Sequence, residues 1–375
     1  MAPGPLRIPT AEIRIAIEMQ LARSIHPLPG NSEHAARLLA LIDSFGGRRL
    51  VVIGDIIADE FIYGQVARVS REAPVLILKY DSTEIVGGGA ANAANNAAAL
   101  GAEVTLVGVA GRDEAARRLL KSLHARVAAD AVVRPNGYRT PVKTRILAGG
   151  VHSAKQQVVR IDRESAGLDM DAARNAVTEK LGQALARCDA VLVSDYGSGL
   201  VTPAVVRHVV RELAERTRRR RVPVLLDSRY NLLAYRGLTA CTPNENEVEQ
   251  ILGVRIDDNP QALADAGRAI LKRTKMEAVL VTRGSRGMAL FEPNRPTEHI
   301  PIYGSDEIAD VTGAGDTVIA TVTLALAAGA SFYEAARLAN YAGGVVVMKR
   351  GTATVSEQEL RGAVENAECG MGNAE

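Results

Sequence analysis

The 375-residue chain carries 45 Lys and Arg against 43 Asp and Glu, a balance that argues against nucleic acid as its main partner. Apolar residues make up 47%, enough for one large domain or two smaller ones, but with no Trp and only four Phe the core must rest on Val, Leu, Ile and Ala. Cys188, Cys241 and Cys369 are far apart and form no CxxC, which fits a reducing cytoplasm better than a disulfide scaffold or a zinc site.

At the N-terminus, Glu12, Arg14 and Glu18 interrupt any apolar run, against a signal peptide. "TAEIRIAIEMQLARSI" and "SEHAARLLALIDSF" read as two amphipathic helices, the second stopped by Gly46-Gly47. Residues 1–47 are therefore expected to be an extension that packs on the main domain or on a second subunit.

From Arg49 the pattern changes. "LVVIGD", "VTLVGVAG", "AVLVSDY", "PVLLDS", "ACTPN" and "AVLVTRG" are short apolar runs separated by helical stretches such as "TPAVVRHVVRELAERT" and "PQALADAGRAILKRT". Strands that are apolar throughout, with helices between them, predict a mainly parallel sheet covered on both faces. Asp55, Ser194-Asp195, Asp227, Asn244 and Thr282 close these runs, and ligands of open α/β sheets bind at the carboxyl ends of strands, so one shared crevice is expected. Two β-rich segments, 63–87 and 139–162, break the alternation and read as a small second sheet, a lid inserted into one domain. The basic run Arg216–Arg221 reads as a solvated helix end. The uncharged segment Thr317–Tyr333 is shorter than the ~20 residues of a membrane span and contains Gly329.

There is no G-x-x-x-x-G-K-[ST], no G-x-G-x-x-G after the first strand, no histidine pair at zinc spacing and no G-x-S-x-G. What remains is "DVTGAGDTVIAT". Gly313, Ala314 and Gly315 precede a helix whose first amides point at any bound anion. Asp316 is either the cap of that helix or a general base beside an anion hole; the buried character of the helix behind it favours the base. In "IVGGGAANAANN", Gly87, Gly88 and Gly89 permit close approach to a ligand and Asn92 offers a donor and an acceptor, or the stretch is a tight turn capped by Asn.

These two clusters carry a resemblance. "GGAANAANNAAALGAEVTLVGVAG" fits the first signature of the ribokinase-like, PfkB-type sugar kinases, and "DVTGAGDTVIAT" fits the second except for Thr321, where the family usually has Ala or Gly. Over about residues 48–365 the resemblance implies a three-layer α/β/α core with a mainly parallel sheet and a β lid, at about 57–86 and 138–165, followed by a tail at 366–375. It implies ATP-dependent phosphorylation of a sugar hydroxyl, with Asp316 as base and residues 313–315 as anion hole. By match, Asn244, Glu245, Asn246 and Glu247 ("NENE"), Thr282, Gly284, Gly287 and Asn340 take the ATP side; Glu247 and Asp227 take magnesium, through water. Asp55, Gly88, Gly89, Asn92 and Asp195 take the acceptor.

Within the family the chain resembles the heptose 7-phosphate kinases, on "GDIIADEFIYG", "RVSREAPV", "KTRI", "QQVVRID" and "SDYGSGLVT". Close relatives usually carry Lys in place of Ser198 and "DPK" in place of Asp227–Arg229. The acceptor implied is D-glycero-D-manno-heptose 7-phosphate, phosphorylated on its anomeric hydroxyl, with Lys143, Arg145, Lys155 and Arg160 placed to meet the 7-phosphate or else solvated. No H-x-G-H nucleotidyltransferase motif occurs, so a stand-alone cytoplasmic kinase is expected, with no nucleic-acid or membrane partner and a homodimer formed through the lid. A kinase for another sugar, sugar phosphate or nucleoside and a non-catalytic sugar-binding regulator are the alternatives.

Overall fold

The computed structural model describes residues 30–149, 155–165, 170–216, 221–304 and 310–368. The first helix expected from the sequence, the middle of the basic run and Cys369 lie outside them. Helix α1 (Gly30–Asp43) is the second helix of the extension. Its Leu38, Leu41 and Ile42 are buried, and the pairs Arg37–Glu334 (2.9 Å) and Arg361–Asp43 tie it to the C-terminal helices.

Then come β1 (Arg49–Gly54), β2 (Ile56–Val69), β3 (Leu76–Gly89), α2 (Ala90–Ala99), β4 (Glu103–Val109) and α3 (Glu114–Lys121). Short β5 (Val127–Ala128) and β6 (Val132–Val133) lead to β7 (Val142–Gly149), β8 (Gln156–Arg163) and α4 (Met170–Ala184). The second half alternates: β9 (Ala190–Asp195), α5 (Pro203–Arg216), β10 (Val224–Ser228), β11 (Ala240–Cys241), α6 (Glu245–Leu252), α7 (Pro260–Thr274) and β12 (Ala278–Thr282). β13 (Met288–Phe291), β14 (Glu298–Ile300), α8 (Ala314–Ala327), α9 (Phe332–Val346) and α10 (Glu357–Glu368) complete the chain.

The large sheet runs β14-β13-β12-β11-β10-β9-β1-β4-β5, with β6 beside β4. It is parallel from β5 to β12 and antiparallel only at β13 and β14. Side chains on successive strand residues point to opposite faces. Accordingly Leu50 and Val52 of β1 enter one core, Val51 and Ile53 the other, and β9 divides its Ala190 and Leu192 from Val191 and Val193 in the same way. Both faces are thus covered, which is why these strands contain no polar alternation. The three-layer arrangement with a separate small sheet is the one expected from the sequence.

The small sheet is ordered β3-β2-β7-β8. It grows out of the large one: β2 starts two residues after β1, and β3 ends where α2 begins. β8 is exposed along its whole length. Helix α2 is mostly alanine, and without bulky side chains it packs closely on α8. A polar thread crosses that contact: Asn96 donates to the side-chain oxygen of Asn92 (3.1 Å), and Thr317 donates to that of Asn96 (2.8 Å). No described helix is long and apolar enough to cross a membrane.

Candidate active site

The carboxyl ends of β1, β9, β10 and β12 and the start of α8 converge on one crevice, divided into two compartments with Tyr196 and Arg229 lining both. Gly313 is the N-cap of α8, at φ 80°. An L side chain is strained there, and a Cβ would lie 2.5 Å from the amide nitrogen of Asn92. Asp310 anchors the approach, accepting from the amides of Thr312 (2.9 Å) and Gly351 (3.0 Å). No side chain caps the helix, and a Cβ on Gly315 would meet nothing within 4 Å. The Ala314 amide bonds weakly back to Val311 (3.3 Å). The first turn therefore presents free donors to open space, as an anion hole requires.

Asp316 is not the cap. It lies in the first turn, 4% exposed. Its Oδ2 accepts from Asn92 Nδ2 (2.8 Å) and its Oδ1 from the phenol of Tyr196 (3.1 Å). Burial pushes its pKa up to about 7; the bonds from Asn92 and Tyr196 oppose that rise, Asp59 adds to it, and Lys143 opposes it. A carboxylate with a pKa near neutrality is matched to accepting a proton in a reaction step.

Beside it the smaller compartment, of about 220 Å³, brings together Asp227, Asn244, Glu247, Thr282, Gly313 and Gly315. Burial raises the pKa of Asp227 well above the usual carboxylate range, with Asp316 and Glu247 adding to the effect. Burial also raises that of Glu247. Neither acid has an ion pair among the described residues. Asn244 and Glu247 form a capping box on α6, each side chain bonded at 2.9 Å to the other's amide, so one oxygen of Glu247 is already in use.

The larger compartment, about 490 Å³, is lined by Lys143, Arg160, Arg229, Tyr196 and Ser198 among others. Lys143 Nζ lies 4.5 Å above the Tyr196 ring, and burial lowers its pKa. Neither Lys143 nor Arg229 has an ion pair among the described residues. Asp55 accepts from the amides of Tyr196 (2.8 Å) and Ser198 (3.1 Å) through Oδ2. Its Oδ1 is buried without a partner among the described residues. Burial pushes its pKa up to about 6 against those amides, with Asp195 adding to the rise.

Several expected site residues are engaged elsewhere. Asn92 donates to Asp316 and its oxygen accepts from Asn96, so it helps to hold the Asp316 carboxylate. A Cβ on Gly88 would lie 2.2 Å from Asp59 Oδ2, and one on Gly89 2.6 Å from the Asp55 carbonyl, so these glycines make room for the chain's own acids. Asp195 is turned inward, accepting from Gly197 N (3.0 Å), Ser228 Oγ (2.8 Å) and Tyr235 OH (2.8 Å). Arg145 pairs with Asp59 (2.5 Å), Lys155 with Asp81 (2.5 Å), and Arg160 with Asp162 through two bonds (2.6 and 2.7 Å).

On the nucleotide side, Glu245 is bound by Arg283 (2.8 Å) and Arg286, which ties the loop holding Gly284 and Gly287 to α6. Asn340 donates to the carbonyl of Pro301 (2.8 Å). Asn246 is exposed and lines neither compartment. The residues that sequence reasoning missed are Tyr196, Asp59 and, as a site residue, Arg229. The signal for Tyr196 was its place immediately after a strand-end acid in "SDYGSG".

A model of the pfkB family of carbohydrate kinases matches residues 48–359. The bifunctional protein HldE of Aeromonas salmonicida is 41% identical over 325 residues, covering 86% of this chain and 65% of that protein. The HldE of Caulobacter vibrioides is 41% identical over 329 residues, covering 87% and 65%. The chain thus spans about two thirds of the length of these relatives, falling just short of it. Among solved structures, Arabidopsis thaliana ribokinase complexed with ribose and ATP aligns with a TM-score of 0.64 at 21% identity, over 85% of this chain and 99% of that one. Phosphofructokinase-2 of Escherichia coli in complex with potassium aligns with a TM-score of 0.66 at 18% identity, over 85% and 98%. At those identities the structures establish the ribokinase-like fold alone, while the family match over most of the sequence goes further: this chain belongs to the pfkB family of carbohydrate kinases.

Proposed function

We propose that the chain transfers the terminal phosphoryl group of ATP to the anomeric hydroxyl of a sugar phosphate, D-glycero-D-manno-heptose 7-phosphate. The observation that carries this reading is that two cations on the larger compartment beside Asp316, Lys143 and Arg229, make no close ion pair, and burial lowers the pKa of Lys143. Desolvation of Lys143 outweighs the more distant help of Asp59 and Asp162, and a phosphate on the acceptor would supply a direct partner. The similarity to HldE proteins at 41% identity, and the motifs outside the general signatures, support heptose phosphate within the family.

In this mechanism Asp316 takes the proton of the attacking hydroxyl as the new O–P bond forms and the bond to the departing ADP oxygen breaks. The open amides at the start of α8 receive the charge on the transferring group. Asp55 accepts a hydrogen bond from an acceptor hydroxyl through its free Oδ1. Asp227 and Glu247 fit magnesium: hard oxygen donors on one compartment, with Glu247 close enough to raise the pKa of Asp227 and neither acid in a close ion pair, although Arg229 lies near both. Among the described residues no three acids, histidines or cysteines group closely enough to hold a metal. That suits an ion that keeps several waters and nucleotide oxygens as ligands. Once bound, magnesium would neutralise phosphate charge.

A purified-enzyme panel with ATP and magnesium tests the substrate: heptose 7-phosphate, fructose 6-phosphate, fructose, ribose and adenosine. The highest kcat/KM is expected on heptose 7-phosphate. An unphosphorylated sugar or nucleoside at the top would sink the acceptor reading, and no turnover on any of them would favour a binding protein. We place the enzyme in the cytoplasm, in keeping with its few, widely spaced cysteines and the buried free thiol of Cys241. Its partner is a second copy docked on the small sheet, where Val69, Leu76, Tyr80, Val159 and Ile161 are exposed. A monomer at micromolar concentration in sedimentation would count against that dimer.

A further inference from the structure

Tyr196 meets more of the site than any residue singled out from the sequence. Its phenol donates to Oδ1 of Asp316 at 3.1 Å. Its main-chain amide donates to Oδ2 of Asp55 at 2.8 Å. Its ring lies under the ammonium of Lys143, 4.5 Å away. The loop that carries it is fixed from below by Asp195, which accepts from the Gly197 amide, Ser228 and Tyr235. With Asn92 on Oδ2, both oxygens of Asp316 are held, so the carboxylate cannot turn about its Cβ–Cγ bond. Each oxygen keeps a second lone pair for an incoming proton.

We propose that Tyr196 is a positioning residue for proton transfer: its phenol fixes the proton-accepting oxygen of Asp316 while its amide fixes Asp55, so that one residue sets the base and the acceptor-binding acid relative to each other. The proposal rests on reading Asp316 as the base. Geometry gives it two consequences. Loss of the phenol frees the carboxylate to rotate, which lowers turnover without removing any acceptor contact. It also withdraws a hydrogen bond made to the ionised form, so the base gains its proton at higher pH. The charged groups around Asp316 remain in place: Asp59 from β2, Lys143 from β7, Asp227 and Arg229 from β10 and its following loop, and Glu247 from α6, with Asp55, between β1 and β2, held on the Tyr196 amide.

Tyr196→Phe is the test, because it keeps the ring under Lys143 and the amide on Asp55. In the full chain with ATP, magnesium and the best acceptor of the panel, kcat at pH 7 is expected to fall roughly tenfold with KM for the acceptor within about threefold. The acid limb of kcat is expected to move up by roughly one pH unit, so the deficit narrows at pH 9. That recovery also excludes misfolding as the cause. A loss equal at every pH, a loss confined to KM, or wild-type behaviour would overturn the proposal. Asp316→Asn in parallel separates the two ideas. An inactive Asp316→Asn beside an unaltered Tyr196→Phe rejects the role of Tyr196 alone, whereas an active Asp316→Asn rejects the base itself.

Discussion

On one side of Tyr196, Asp227 and Glu247 share a compartment of about 220 Å³, each with its pKa raised by burial. On the other, Lys143 faces a compartment of about 490 Å³ and burial lowers its pKa, while Arg229 lines both. Burial disfavours the charged form in each half, in opposite senses, and the ligands proposed for them match: a cation with the nucleotide beside the acids, an anionic acceptor beside Lys143. Charged side chains that already have partners nearby, such as Arg145 with Asp59, carry no such information. The lesson is that a buried charge without a close ion pair, rather than charge alone, marks the site.

The largest expected effect lies on the boundary. Asp316→Asn keeps the hydrogen bond from Tyr196 but removes the proton acceptor, and turnover should fall by roughly 10²–10⁴-fold with acceptor KM little changed. Steady-state kinetics at saturating ATP and magnesium check this. Turnover near that of wild type would remove Asp316 as the base and leave the two compartments without a reacting centre.

Next is the anionic-acceptor half. Lys143→Ala should raise KM for a phosphorylated acceptor roughly 10–100-fold and leave kcat within a few-fold, the cost of one charged hydrogen bond that is equal in ground and transition states. The corresponding unphosphorylated sugar should show no such change. Equal losses on both acceptors would mean that Lys143 supports the Tyr196 ring rather than a phosphate.

Much of this was legible in the sequence, for identifiable reasons. The parallel sheet announced itself because β1, β9 and β10 are buried on both faces and so contain no polar alternation. Asp316 was legible because a helix opened by Gly313 and Gly315 has few other uses for a buried acid. The status of the lid cations was not. Arg145 meets a carboxylate 86 residues away and Lys155 one 74 residues away, so whether a charge is satisfied depends on strand register that no local pattern records. The bond of Asn92 to Asp316 was hidden for a similar reason: its neighbour lies 224 residues on, and only the packing of two helices brings them together.

In the cation half the comparison is tested through stability. Asp227 has a raised folded-state pKa, as do Asp55, to about 6, and Asp316, to about 7. For an acid raised in this way the fold binds more protons than the unfolded chain. Its contribution is present at low pH and is lost as pH rises from the unfolded value of 3.8 through the folded one. The ligand-free protein should therefore melt at a lower temperature at pH 8 than at pH 5.5. Asp227→Asn should recover on the order of 1 kcal/mol at pH 8, roughly 2–4 °C, while impairing activity. A lower melting temperature for this variant at pH 8 would show that Asp227 is satisfied in the free protein.

The smallest effect is expected where charge has a partner, and it is the sharpest control on the rest. Lys155 lies near the Tyr63 ring and pairs with Asp81 at 2.5 Å, with side-chain exposures of 29% and 27%. A partly exposed pair of this kind contributes about 0–1 kcal/mol, because water screens it and two long side chains must be ordered to make it. Lys155 lies immediately before β8 of the small sheet that carries Lys143 and has the same charge, so a general attraction of the lid for anions would penalise both variants alike. Lys155→Ala should instead change acceptor KM by less than about threefold, with a melting temperature within a degree or two of wild type. Salt should separate them as well. Raising ionic strength to 0.5 M should weaken whatever long-range attraction the exposed cations exert, while the contact made by desolvated Lys143 persists. A Lys155 variant as impaired as Lys143→Ala would mean that the field of the whole lid, and not one unpaired ammonium above Tyr196, recruits the acceptor.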